Sequence, residues 1–170
     1  MLQKCTMFRI GQVFFNDPEK EFSLAEIKRR SNLSPTSIVI HLRTLEKSQI
    51  IFKRIRKEGS RNYPCYKARV ESKKYKHYKI VSILEQIYNS GLITELQEKC
   101  TPDCIILFGS ACRGEDIKES DIDLYLKSNE KYFNLKKYEK FIGRRIQLHF
   151  KEQFINYSPE LKNNIINGII

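Results

Sequence analysis

No stretch of the sequence approaches 18 consecutive apolar residues, so no segment reads as a membrane-spanning helix. The opening residues, MLQKCTMFRIGQ, lack the apolar core and small-residue cleavage site of a secretory signal, and the expectation is a cytoplasmic protein. Glycine and proline are sparse, at 7 and 5 residues. With 41% hydrophobic and 30% charged residues, the composition excludes collagenous, low-complexity and disordered classes. No Cys-x-x-Cys pair occurs. The 5 cysteines (Cys5, Cys65, Cys100, Cys104 and Cys112) are odd in number, which argues against a disulfide framework. The histidines, His41, His77 and His149, are scattered, which argues against structural zinc. Buried, inert thiols are expected instead.

The 170 residues suffice for one ordinary domain or two small ones, and the charge favours two. The net charge of +11 is lopsided: residues 1–79 hold 19 Lys+Arg against 7 Asp+Glu, while residues 80–170 hold 12 against 13. A basic half joined to a neutral half points to one module facing a polyanion, against the plainer reading of a lysine-rich solvated surface.

The basic half has legible punctuation. Thr6–Phe15 reads as a short helix ended by Asn16-Asp17-Pro18. Ser23 with Glu26 forms a capping box, and Ser34-Pro35 forms a second helix start. Ser31-Asn32-Leu33 is the turn between them, and Ile38, Leu42 and Leu45 recur at helical spacing. Two strand-like segments follow, Ile50–Ile55 and Asn62–Ala68, around a polar turn containing Gly59; Pro64 suits an edge strand. Over about residues 6–68 this order resembles the winged-helix DNA-binding domains of bacterial and archaeal regulators. The resemblance implies base contacts from Thr36, Ser37, His41 and Arg43, with Ser34 beside them. It also implies phosphate contacts from Lys53, Arg54, Arg56, Lys57 and Arg61. The competing reading is a winged helix used for protein contacts.

Residues 71–100 read as a connecting helical segment packed on the C-terminal module, with an apolar stripe of Ile80, Ile83, Leu84, Ile87 and Leu92. The stripe reads as core, with a homodimer interface left open.

Chemistry concentrates in LFGSACRGEDIKESDIDLYL. Cys104–Phe108 is a short apolar strand, Gly109-Ser110 follows at once, and ten residues later Asp121–Leu126 reads as a second strand. Asp121 and Asp123 point to one face and can share a hard divalent cation, Mg²⁺ or Mn²⁺. Gly109 permits close backbone approach to a phosphate, and Ser110 adds a hydroxyl. A metal pair facing a phosphate cradle suits phosphoryl or nucleotidyl transfer. The plain alternative is a polar turn with two exposed acids. At roughly 5–7% per residue, four fixed residues coincide at about one position in 10⁵.

This stretch resembles the signature of the DNA polymerase β nucleotidyltransferase superfamily, and most closely its minimal members. The resemblance covers about residues 80–170. It implies that Gly109 and Ser110 hold a nucleoside triphosphate such as ATP, and that Asp121 and Asp123 are the catalytic, Mg²⁺-holding pair. Some members are antitoxins that transfer AMP to a tyrosine of a partner toxin, so a toxin or another protein is an implied partner. The family pattern has a third carboxylate on a later strand. Here that strand is Arg144–Phe150, and Gln147 stands in the acid's place, with His149 on the same face. An amide cannot take a proton near neutral pH. Three readings follow: activity with two carboxylates, His149 as base, or nucleotide binding without turnover. Arg113 is a candidate for triphosphate charge, and Lys118 reads as loop solubility. Tyr132–Ile142 reads as a lysine-rich helix, and Pro159–Ile170 as a short helix closing at Gly168.

The expectation is an α+β protein with a winged helix over residues 1–70, a connecting helix over 71–100 and a minimal nucleotidyltransferase over 101–170. Its expected function is metal-dependent transfer of AMP from ATP to a macromolecule, coupled to DNA binding. The alternative is a winged-helix transcriptional regulator with a weakened, nucleotide-sensing transferase domain.

Overall fold

Ser23 and Ser34 each open a helix as the capping pattern predicts. In this computed structural model, which describes residues 5–58 and 60–170, the chain divides into two compact units, Met1–Ser82 and Ile83–Ile170. The first unit contains α1 (Thr6–Asn16), β1 (Phe22–Ser23), α2 (Leu24–Ser31), α3 (Pro35–Lys47), β2 (Ile51–Glu58) and β3 (Arg61–Ala68). Ser23 Oγ accepts from the Glu26 amide while the Glu26 carboxylate accepts from the Ser23 amide, so two otherwise orphaned donors at the start of α2 are satisfied. Asn32, with φ of +52°, ends α2 in the left-handed conformation, and Ser34 caps α3 with Pro35 in its first turn. Ile10, Phe14, Phe22, Ile27, Ile38, Leu42 and Ile51 form the buried core of this unit.

Its sheet has the order β1-β3-β2, all antiparallel. Pro64 therefore lies in the middle strand and not at an edge. The strand tolerates it because β1 reaches only Cys65 and Tyr66, leaving no β1 residue opposite Pro64. The expected turn residue Gly59 lies outside the described residues, as do the side chains of Glu58 and Arg61.

The connecting segment is two helices, α4 (Lys73–Asn89) and α5 (Leu92–Cys100), broken at Gly91, whose φ is +80°. Tyr75 of α4 belongs to the first unit's core and donates its hydroxyl to the Phe14 carbonyl at 3.1 Å. Ile83 and Ile87 belong to the second unit's core.

The second unit continues with β4 (Ile105–Phe108), α6 (Gly109–Arg113), β5 (Ile122–Leu126), α7 (Lys136–Ile142), β6 (Ile146–Phe150), α8 (Lys151–Phe154) and α9 (Pro159–Ile166). Its sheet has the order β4-β5-β6, with β4 antiparallel and β6 parallel to the central β5. Alternation sorts the side chains onto two faces. Leu107, Ile122, Leu124, Leu126, Ile146 and Phe150 join Leu92, Leu96 and Ile142 in the main core. Full burial of such a side chain stabilises by roughly 1.5–3 kcal/mol. The opposite face carries a smaller apolar cluster of Phe108, Tyr125 and Ile165 with Phe154 and Tyr157 against it.

Helix α7 starts at Lys136 and not at Tyr132. Phe133 and Leu135 pack on the core, and Asn134 Oδ1 accepts from the Lys136 amide at 3.2 Å, a local bond that starts the helix late. The tail returns to β4, where Leu107 and Ile169 exchange two backbone hydrogen bonds of 2.8 Å. Gly168 is needed there because a β-carbon would stand 2.6 Å from the Leu107 carbonyl oxygen.

Candidate active site on the second sheet face

The face of β4-β5-β6 that carries Phe108 and Tyr125 also carries the polar residues. Asp121 immediately precedes β5 and Asp123 lies within it; both are half-buried. Register places Asp123 opposite Phe108 on one side and Gln147 on the other. The chain then turns at Gly109, whose φ is +76°. A β-carbon at Gly109 would meet Asp123 Oδ2 at 2.7 Å, so the turn and the carboxylate sit together only because this residue is glycine. Ser110 follows, half-buried, in the first turn of α6. The structure thus brings Gly109, Ser110 and Asp123 into one place.

Gln147 is on the same face. Its Nε2 donates to Asp121 Oδ2 at 2.6 Å. The amide must face this way, because an ionised carboxylate only accepts. His149 lies two residues on, with Nε2 at 3.5 Å from Asp123 Oδ1, an ion-pair distance too long for a good hydrogen bond. Its ring is edge-on to Phe108 and Tyr157, at centroid distances of 5.0 and 5.9 Å. Sequence spacing alone put His149 about 6.6 Å along the strand from Gln147, and the structure fills that step by giving each aspartate its own neighbour.

Two further residues hold the site, and sequence reasoning missed them. Arg144 Nε donates to the Ser120 carbonyl at 2.7 Å, and its two terminal nitrogens reach Asp116 Oδ2 at 2.6 Å and the Asp121 carbonyl at 3.2 Å. The side chains of Arg144 and Asp116 are only 11% and 3% exposed. This buried pair fixes the loop that delivers Asp121. The basic doublet Arg144-Arg145 before β6 was its one signal, and nothing in the spacing names Asp116 as the partner.

Arg113 is exposed at the end of α6, with Nε donating to Glu115 at 3.0 Å. Its charge is engaged by that neighbour. Lys118 is exposed in the loop. Cys112 is buried beneath the turn, its Sγ 3.2 Å from the Gly109 carbonyl, and burial pushes the thiol's pKa up. Cys65 and Cys100 are buried as expected, whereas Cys5 is exposed. A cavity of about 250 Å³ lined by Leu84, Ile87, Ile93 and Leu107, with Gln97 and Asp103 also on its wall, contains none of the residues of the aspartate face.

Among the described residues, no group of three or more His, Cys, Asp or Glu side chains is placed to hold a metal ion. The two aspartates are a pair with the Gln147 amide beside them. That donor set still fits a hard divalent cation of the Mg²⁺ type, which takes one or two carboxylates and draws its other ligands from phosphate oxygens and water. The close seat of Asp123 on Gly109 leaves the turn without a side chain in the way.

In the first unit, Thr36 and Arg43 are exposed on α3, while Ser37 and His41 are half-buried on its flank. Lys53, Arg54, Arg56 and Lys57 are exposed along β2. Arg54 pairs with Glu21 at 3.0 Å and lies over the Phe52 ring at 5.1 Å.

Residues 90–170 match the family model described as polymerase beta, nucleotidyltransferase. A protein of Methanocaldococcus jannaschii named "Putative protein adenylyltransferase" is 35% identical over 83 residues, covering 44% of this chain and 81% of the relative. The chain belongs to the polymerase beta nucleotidyltransferase family. The match takes in the whole polar face, from Gly109 through His149. A structure titled "Possible transcriptional regulator" from Methanosarcina mazei Go1 is similar over 56% of this chain and 83% of that chain. At 19% identity and a TM-score of 0.36, it adds nothing to the assignment. Among the described residues no helix is long and apolar enough to cross a membrane.

Proposed function

We propose that the second unit binds a divalent cation–nucleoside triphosphate complex and transfers the nucleotidyl group, AMP from ATP, to a protein. The observation that supports this most is the seat of Asp123 against Gly109. It sets a carboxylate directly beside a bare turn where a phosphate chain can approach. The protein acceptor follows the name of the M. jannaschii relative, and a partner toxin is the acceptor that the family resemblance implies.

In this reading Asp121 and Asp123 hold the cation, Mg²⁺ or Mn²⁺, whose charge offsets that of the triphosphate. Gly109 and Ser110 lie against the phosphates, the glycine by offering backbone without a side chain and the serine through its hydroxyl. The acceptor hydroxyl oxygen bonds to the α-phosphorus as the bond to pyrophosphate breaks in line, and the hydroxyl proton passes to solvent. Arg144 keeps the Asp121 backbone in place through its bond to that residue's carbonyl. Gln147 steadies the Asp121 carboxylate and takes no proton.

The first unit is a winged helix that holds DNA in this reading, with α3 toward the bases and β2-β3 along the phosphates. Its surplus of 12 positive charges over residues 1–79 and the exposed Lys53, Arg54, Arg56 and Lys57 support this. The domain limits are then those of the two compact units.

The Gln147–Asp121 bond favours a second reading, a transcriptional regulator whose transferase domain senses nucleotide without turnover. One experiment separates them. The full chain is incubated with α-labelled nucleoside triphosphates, Mg²⁺ or Mn²⁺ and cell extract, beside Asp123→Ala. Label on protein, lost in the variant, supports transfer. Triphosphate binding without label supports the regulator.

A further inference from the structure

Helix α3 presents an outward face that polar readout alone does not explain. Thr36, Ile40, Arg43, Thr44 and Lys47 are its exposed residues along one stripe, at helical spacing. Ile40 lies in the middle and is 56% exposed. Sequence reasoning names Thr36 and Arg43 on this stripe, together with Ser37 and His41, which are half-buried at its side, and leaves out Ile40. Thr44 does not make the centre polar, because its hydroxyl donates to the Ile40 carbonyl at 3.3 Å. The centre therefore offers a branched apolar side chain, with cations at Arg43 and Lys47 near one end of the helix.

Duplex DNA fits this face better than an apolar protein partner, because the unit carries 19 Lys+Arg against 7 Asp+Glu over residues 1–79. Within the major groove, only one base offers an apolar edge group: thymine, through its C5-methyl. We propose that Ile40 contacts thymine C5-methyl groups in the major groove, so that the DNA this protein prefers has thymine opposite the middle of α3. The inference rests on the DNA-binding reading of the first unit and adds to it a base class and the residue that selects it. Arg43 and Lys47 supply the cationic flank, and Ile40 supplies the discrimination.

The test uses the full chain. Duplexes are selected from a randomised library by repeated binding, and each thymine of the best duplex is replaced singly by deoxyuridine, which keeps the pairing edge and removes only the methyl. Affinity is measured for the natural protein, Ile40→Ala and Ile40→Val. The natural protein is expected to bind about fourfold more weakly at one or two substituted positions, the worth of one buried methyl. Ile40→Ala is expected to bind thymine and deoxyuridine duplexes alike, and Ile40→Val to keep the preference in part. An unchanged melting temperature in Ile40→Ala, expected for so exposed a side chain, shows that folding is not the cause. The proposal is overturned if no thymine is sensitive, or if Ile40→Ala keeps the sensitivity. Absence of any salt-dependent duplex binding overturns the DNA-binding reading itself, and this inference with it.

Discussion

Gln147 donates a hydrogen bond from Nε2 to Oδ2 of Asp121 at 2.6 Å, across from the strand that carries Asp123. An uncharged donor therefore holds the Asp121 carboxylate, at the position where the resemblance implies a third acid. Gln147→Glu should reverse this. Without divalent cation the like charges should lower stability by about 1 kcal/mol. Mn²⁺ should restore it, and labelled-nucleotide transfer should rise by about 10²-fold. Thermal unfolding with and without Mn²⁺, together with the transfer assay, checks both halves.

Gly109→Ala should be costly out of proportion to one methyl. The residue sits at φ of +76°, and the new carbon would stand 2.7 Å from Asp123 Oδ2. A loss of about 1–3 kcal/mol is expected from backbone strain, together with displacement of the carboxylate and loss of triphosphate binding. Gly91→Ala is the control: its φ is +80° but a β-carbon there meets nothing within 4 Å, so stability falls while binding stays. Urea unfolding and a nucleotide titration on both variants decide it.

Arg144→Met should leave Asp116 as a buried carboxylate without its guanidinium. A loss of about 3–5 kcal/mol is expected. Adding Asp116→Asn should recover part of that stability by removing the buried charge. Neither variant should regain full triphosphate binding, because the Asp121 carbonyl has also lost its donor. Equal stability of Arg144→Met and the natural protein in urea would refute the role given to this pair.

Glu26 provides a pH signature in the first unit. Its hydrogen bond from the Ser23 amide, aided by Lys20, lowers its carboxyl pKa to about 2 from 4.5. A depressed pKa stabilises the fold fully above the unfolded value, and the contribution fades as pH falls from about 4.5 toward 2. Glu26→Gln should therefore be less stable than the natural protein at pH 6, and the gap should narrow below pH 4.5. Urea unfolding at a series of pH values measures that gap.

What the sequence made legible was local. The Ser23–Glu26 box, the Ser34-Pro35 start and the Gly109-Ser110 turn with its aspartates are short-range patterns with one physical solution each, and all stand where the spacing puts them. The face that Gln147 shares with His149 was also readable, because strand alternation fixes it. The long-range pairings were not. The Arg144–Asp116 clamp joins residues 28 apart, and no periodicity encodes it. Pro64 was misplaced because strand order depends on the two-residue β1, too short to announce itself. Tyr132 was assigned to a helix by its lysine-rich surroundings, whereas Phe133 and Leu135 are drawn onto the core before the helix begins. Ile40 was passed over because polar residues are the usual choice for base contacts, and only its exposure marks it.

The central claim is that the aspartate face holds a cation-bound triphosphate. The most direct measurement is a calorimetric titration of a non-cleavable ATP analogue into the natural protein and into Asp123→Asn, each with and without Mg²⁺. The account predicts saturable binding that requires the cation and weakens by about tenfold or more in the variant, a loss of at least about 1.4 kcal/mol. Binding that ignores the cation, or that is equal in the variant, would contradict it.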